Sequence, residues 1–193
     1  VNLVGILHSR GGDPFGPDFN RAHAQLPQRI AQACCRAGSA RFIHISTDCV
    51  FSGSRGSYKE SDLPDAQDLY GRSKLLGEVD YQHAVTLRTS IIGHELNSAH
   101  GLVGWFLSQQ GRVKGFTKAI FSGLPTVELA RVIRDFVLIH TELHGVYHVS
   151  SDPISKYSLL DLVNREYQKN LQIDHDDKLQ IDRSLDSERF KSA

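Results

Sequence analysis

An α/β fold, with a doubly wound parallel sheet and a small C-terminal lobe, is what three features of this sequence predict. Short apolar runs alternate with stretches whose apolar residues recur every three or four positions, the signatures of strands and amphipathic helices in turn. The joints between the first of these are short, so strand, helix and strand form a crossover unit, and that requires a parallel sheet. The 193 residues, 40% of them hydrophobic, suffice for one domain, or one domain and a small lobe, around a buried core.

The elements follow in order. Residues 1–7 are an apolar run of the kind buried on both faces of a parallel sheet. A loop rich in Gly, Pro and Asp spans 9–18. Phe19, Ala22, Leu26, Ile30, Ala33 and Ala37 then form a helical stripe, with Pro27 marking a kink or a late start. Gly38 sits where a left-handed helix stop belongs. Residues 41–46 are a second strand, 52–67 a long polar loop, 68–79 a helix and 85–88 a third strand. Residues 93–115 are weakly patterned. A helix after Pro125 carries Leu129, Val132, Ile133 and Phe136, with Thr126 as its cap. Residues 146–149 read as a short strand, and Ser155 or Ser158 caps a last helix containing Leu159, Leu160, Leu162 and Val163. From Asp174 onward the tail is charged and irregular.

Composition excludes several function classes. The chain has 22 basic and 22 acidic residues, whereas nucleic acid and anionic membrane surfaces select a basic excess. The ten His add charge only below neutral pH. No apolar run approaches the roughly 20 residues of a membrane span, and the opening lacks the basic-then-apolar order of a secretory signal. Cys34 and Cys35 are adjacent and Cys49 stands apart, which cannot make a disulfide framework and suits a reducing compartment. No Cys lies two to four residues from another Cys or a His, so no zinc site is expected. A cytoplasmic protein without metal is the expectation. There is no Met, and the chain opens directly on a strand-like run. The expectation is a chain that starts inside a domain, with tag removal and chance as the alternative.

The main chemical constellation is Tyr70-Gly71-Arg72-Ser73-Lys74. Tyr70 and Lys74 lie four apart, so a helix projects both from one face. A phenol with a reference pKa near 10 needs a nearby cation to exchange protons at neutrality. By itself this spacing also describes a surface Tyr and Lys on an amphipathic helix. Upstream, Ile45-Ser46-Thr47-Asp48-Cys49-Val50-Phe51-Ser52-Gly53 stands at the carboxyl end of a predicted parallel strand, where open α/β sheets hold ligands. Its two hydroxyls and one carboxylate suit a polyhydroxylated substrate, although a triplet such as Ser46-Thr47-Asp48 also caps helices and turns. His140 and His144 share helical spacing, but a solvated helix end explains them as well as a metal does.

The combination Ser-Thr-Asp-x-Val-Phe-x-Gly and Tyr-Gly-x-Ser-Lys resembles the extended short-chain dehydrogenase/reductases, within them the dTDP-4-dehydrorhamnose reductase group. Residues 87–90, the Gly123-Leu124-Pro125-Thr126 stretch, Gly145-Val146-Tyr147-His148 and residues 182–190 are similar to later segments of that group. The resemblance implies a partial Rossmann-like fold, residues 1–92 belonging to the dinucleotide-binding domain and 93–193 mainly to a substrate lobe with elements returning to the core. It implies NADP or NAD as cofactor, a nucleotide-sugar substrate and a homodimer. Tyr70 becomes the general acid, Lys74 lowers the Tyr70 pKa and holds the nicotinamide ribose, and Thr47 holds the reacting oxygen. Asp48 contacts the sugar, Val4 and Gly5 line the cofactor by their backbone, and Thr89 and Ser90 lie beside the nicotinamide.

The sequence departs from that pattern in three places. No Gly-x-x-Gly-x-x-Gly phosphate turn occurs in these residues. Ile91, at a substrate-contacting position, replaces a Trp, and Ala66 replaces the Pro four residues before the Tyr. Three readings stay open: a reductase of a nucleotide-activated keto sugar, an NAD-dependent epimerase or dehydratase of such sugars, and a non-catalytic subunit of the same fold. The regulatory subunit of methionine adenosyltransferase is an example of the third.

Overall fold

The computed structural model describes residue 1 and residues 17–38, 40–96 and 99–193. The strand expected over 1–7 lies outside the described residues, and so do Val4 and Gly5.

A continuous helical stretch over 17–37 (α1) is built from Pro17–Asn20, a π turn at Arg21–Gln25 and Leu26–Ala37. The wide turn falls just before Pro27, which has no N–H to give and whose ring crowds the carbonyl four residues back. Gly38 ends the helix in the left-handed region at φ +70°, as its place in the sequence predicts. Strand β1 (Phe42–Thr47) follows, then helix α2 (Leu69–Leu76) and strand β2 (Ala84–Thr89). Later in the chain come α4 (Thr126–Val132, extended by a π turn at Ile133–Val137) and strand β7 (Gly145–His148). The strands assemble as a parallel sheet in the order β1-β2-β7.

Both faces of this sheet are covered, which accounts for β2 being buried along its whole length and β1 at every residue but Ile45. Ile43, Val85, Leu87 and Tyr147 pack against Leu129, Ile133 and Val137 on one face. On the other, Phe42 and Ala84 meet Ala31 of α1 and Val79. Strand alternation places His44 and Ser46 with Phe42, and Thr86 and Arg88 with Ala84. These residues, with His148, are all buried. That face is therefore half apolar and half polar in depth, and the polar half lies toward the carboxyl ends of the strands.

The remaining elements are small. They are β3 (Ile91–Ile92), α3 (Leu102–Ser108), β4 (Arg112–Phe116), β5 (Ala119–Phe121) and β6 (Leu124–Pro125), then β8 (Ile154–Ser155), α5 (Lys156–Glu166), β9 (Gln172–Asp176), β10 (Ile181–Asp182) and α6 (Glu188–Lys191). β4 pairs with β9, β3 with β6, and β5 sits between β10 and β8. Phe106, Val113, Leu160 and Leu171 form a separate core beneath them.

Several expectations are corrected. The weakly patterned 93–115 contains α3 and β4, and the tail from Asp174 contains paired strands and a final helical turn. Thr126 does not cap α4: Pro125 is the cap residue, with no side-chain bond, and Thr126 is the first helical residue. Of the two Ser candidates, Ser155 caps α5, its hydroxyl accepting from the Ser158 N–H at 3.0 Å. His140 and His144 lie in turns beyond the π turn, both bonded to Glu142.

Candidate active site

The site is assembled where β1 and β2 end. β1 stops at Thr47 and a single 3-10 turn, Asp48–Val50, carries the chain away. The Thr47 hydroxyl accepts from the Cys49 N–H at 3.1 Å and donates to Asp48 Oδ1 at 3.2 Å. Helix α2 packs directly on this turn. It starts because Asp68 caps it, accepting from the Gly71 N–H at 2.8 Å. Gly71 permits the approach, since a Cβ there would collide with the Cys49 carbonyl oxygen. That contact sets the Tyr70 side of the helix against the strand end and gives the glycine of Tyr-Gly-x-Ser-Lys a steric reason.

Lys74, one turn on from Tyr70, is buried at 5% exposure. Its Nζ donates to the Ile45 carbonyl oxygen at 2.7 Å. Burial lowers its pKa to about 8, with the Glu78 carboxylate acting in the opposite sense. Burial likewise pushes Tyr70 up to about 12; the Cys49, Asp48 and Asp68 groups add to the rise and a hydrogen bond with Thr47 counters it. The expected lowering of Tyr70 by Lys74 is thus not what the geometry produces. The ammonium is turned to a backbone carbonyl, and desolvation of the phenolate dominates. On the inner side of α2, the Ser73 hydroxyl donates to the Tyr70 carbonyl and lies 2.9 Å from His23 Nδ1. The His23 ring meets the Tyr70 ring edge-on at 5.4 Å. Burial, then Lys74, holds His23 down at about 4, so it is neutral.

Asp48 is almost wholly buried. Burial raises its pKa, while hydrogen bonds from Cys49, Thr47 and Ser90 and the charge of Arg183 oppose the rise. Beneath the site lies a buried ion pair: Arg88 donates from Nε and Nη2 to the two Glu78 oxygens at 2.9 and 2.7 Å. Ser46 donates to Glu78 Oε1 at 2.6 Å, and Arg88 Nη1 lies 3.3 Å from His148 Nε2.

The structure brings Thr47, Asp48, Tyr70, Lys74 and Ser90 to one place. Thr89 ends β2, buried, with its hydroxyl on the Ser90 carbonyl. Ile91 is 54% exposed and pairs with Leu124 at the rim. Arg183, Glu78 with Arg88, and His23 are site neighbours that the sequence did not single out. The segment holding Arg183 resembles a late segment of the family, but nothing in spacing tells that it returns to a turn more than 130 residues earlier. Among the described residues no cluster of three or more His, Cys, Asp or Glu suits a metal, and no helix is long and apolar enough to cross a membrane.

Comparison with known proteins gives this arrangement a lineage. The family described as RmlD substrate binding domain matches residues 19–178. Methionine adenosyltransferase 2 subunit beta of Danio rerio is 30% identical over 161 residues, 74% of this chain and 50% of that protein. The dTDP-4-dehydrorhamnose reductase of Mycobacterium tuberculosis (strain CDC 1551 / Oshkosh) is 42% identical over 92 residues, covering 40% of this chain and 30% of the reductase. Among solved structures, a hypothetical dTDP-4-dehydrorhamnose reductase from Sulfolobus tokodaii superposes with a TM-score of 0.83 at 25% identity, covering 99% of this chain and 71% of its own. The Bacillus anthracis dTDP-4-dehydrorhamnose reductase in complex with NADP gives 0.77 at 21% identity, covering 90% and 65%. The chain therefore spans half or less of the curated relatives it matches, and it belongs to the RmlD substrate binding domain family.

Proposed function

We propose that this chain carries the proton-transfer and substrate side of an NAD(P)-dependent reductase of the short-chain dehydrogenase/reductase type, acting on a keto group of a nucleotide-activated sugar. The observation that carries the reading is the convergence of Tyr70, Lys74, Thr47 and Asp48 at the carboxyl end of β1. The solved relative bound to NADP supports the cofactor class. Homodimer formation, a cytoplasmic location and a division into 1–92 and 93–193 belong to the same proposal.

The donor set fits a nicotinamide ribose. Lys74 has three N–H donors and gives one to the Ile45 carbonyl, which leaves two for sugar hydroxyls. A bound nicotinamide would supply hydride to the keto carbon. Thr47 holds the keto oxygen, Asp48 accepts from a sugar hydroxyl, and Tyr70 gives its proton as the oxygen becomes an alkoxide. A phenol raised to about 12 stays protonated throughout the neutral range. It can still pass its proton downhill to an alkoxide, whose conjugate acid is nearly as weak an acid as water. The raised value therefore suits an acid in the reducing direction. Tyr70→Phe in the full-length protein should lower kcat by at least about 10²-fold with little change in cofactor affinity. Near-normal turnover would remove Tyr70 from the mechanism.

The glycine-rich phosphate turn is not among these 193 residues. We therefore expect the chain by itself to be inactive and to bind NADPH and NADH weakly, because the pyrophosphate loses charge-assisted hydrogen bonds of roughly 1.5–3 kcal/mol each. Calorimetric titration checks this, and micromolar binding would mean that the cofactor is held elsewhere. A second reading, a non-catalytic subunit, is favoured by the breadth of the match to the methionine adenosyltransferase subunit. Turnover of a nucleotide-activated keto sugar by the full-length protein excludes it.

A further inference from the structure

Arg183 reaches the site from the C-terminal segment and touches three of its supports. Its Nε donates to the Phe51 carbonyl oxygen at 2.8 Å, its Nη1 lies 3.5 Å from Cys49 Sγ, and its Nη2 lies 3.7 Å from Asp68 Oδ2. Cys49 lies in the turn that presents Asp48 and Phe51 ends it, and Asp68 caps the helix that presents Tyr70. The chain beside the turn makes room for this segment: Gly53 sits at φ +85°, and a Cβ there would collide with Ile181 and come within 2.9 Å of Arg183 Cγ. The backbone follows the same route, for Asp182 donates its N–H to the Gly53 carbonyl at 2.7 Å. A guanidinium is rigid and planar, so the hydrogen bond to Phe51, the longer contact with Cys49 and the ion pair with Asp68 are held in one fixed arrangement. An ammonium in its stead is a point donor that serves one of them.

We propose that Arg183 is a positioning residue for the substrate side of the site, its fork fixing the 48–53 turn, and with it Asp48, relative to the cap of α2. The assignment rests on the reductase reading for its consequence in catalysis and on the Phe51, Cys49 and Asp68 contacts for the positioning; the guanidinium charge also opposes the rise that burial gives the Asp48 pKa. The groups that face Asp48 are Thr47 and Cys49 from its own turn, Ser90 from the end of β2, Tyr70 from α2 and Arg183. Arg183 is the one cation among them. Removing it leaves burial less opposed, so Asp48 takes up a proton at higher pH.

The test uses Arg183→Met, which keeps the apolar stem without charge or fork, and Arg183→Lys, which keeps the charge without the fork. In the full-length protein, with NADPH and a dTDP-activated 4-keto sugar, Arg183→Met should lower kcat/KM about 10²-fold. The acid limb of its pH profile should move to higher pH. Arg183→Lys should leave the limb in place and still lose about tenfold, a split that holds even if the Met variant does not fold. A carbon-detected NMR titration of Asp48 reads the same displacement without turnover. A displaced midpoint in a protein that reduces no such sugar upholds Arg183 and overturns the reductase reading. Turnover with limb and midpoint unmoved, or Met and Lys variants equal in every respect but melting temperature, overturns the role given to Arg183.

Discussion

The β1-β2-β7 sheet and the β10-β5-β8 sheet are built on opposite plans. In the first, β1 and β2 pair over six residues and every β2 residue is buried. In the second, each ladder is two residue pairs long and the strands are half-buried. The long sheet holds its site by packing. The short one is held by individual polar links: Ser122 accepts from the Leu185 N–H, Ser184 accepts from the Ser57 N–H, and Ser150 donates to the Leu185 carbonyl. The proposed proton-transfer groups Tyr70 and Lys74 stand on α2, the helix packed on the end of the long sheet, whereas the proposed substrate side depends on a segment fixed by a few side chains. In such a protein substrate choice can change with few substitutions while the proton chemistry stays.

The sharpest way to break the contrast is to remove charge from each region in turn. Glu78→Gln leaves Arg88 buried in β2 without its charge partner, and we expect a loss of about 3–5 kcal/mol in urea denaturation. A loss below 1 kcal/mol would mean that the sheet tolerates an unpaired guanidinium as a surface does. A fall from pH 7 to pH 5 should cost nearly as much. His23 and His44 are held at about 4 and about 3, by burial first and then by the Lys74 charge, with His23 adding to the effect on His44. Both folded values lie below the unfolded value of 6.5, so the unfolded chain takes up protons first and stability declines as pH drops from 6.5. The two account for about 4 kcal/mol by pH 5. Asp48, raised in the folded state, acts with the opposite sign and makes the slope shallower. Urea midpoints at both pH values measure it, and His44→Leu should flatten the dependence if it folds. At the small end, Asp174→Asn in β9 breaks an exposed pair with Arg112 at 3.4 Å and should change stability by less than about 1 kcal/mol. A larger loss would show that the lobe also stores its stability in charge.

The same contrast decides how much was legible in the sequence. The long strands and α1 carry clean periods, and Tyr70 with Lys74 declares its geometry through helical spacing alone. β4 alternates too, but Gly115 stands at one of its inward positions beside Val113, so the stripe has one member. The two-residue strands of the tail are too short for any period to show. Asp48 and Thr47 were readable from their place at a strand end. The Glu78–Arg88 pair was not, because a strand that buries Arg88 beside Thr86 reads as half-exposed. Arg183 was hidden for another reason, its partners being set by the path of the whole chain.

The π turn at 21–25 has one more consequence. A π turn is an α-helix with a residue to spare, and each residue advances a helix by about 100°. Deleting any single residue of that turn would give an unbroken α-helix of better regularity and the same register from Pro27 onward. Phe19, ahead of the turn, would keep its azimuth, because the wide turn absorbs the spare residue without rotating the helix before it; His23 lies inside the turn and would be re-aimed away from the edge of the Tyr70 ring. The irregular stretch aims one imidazole and leaves the rest of the helix in phase, and a one-residue deletion that improves the helix would disturb the phenol it serves.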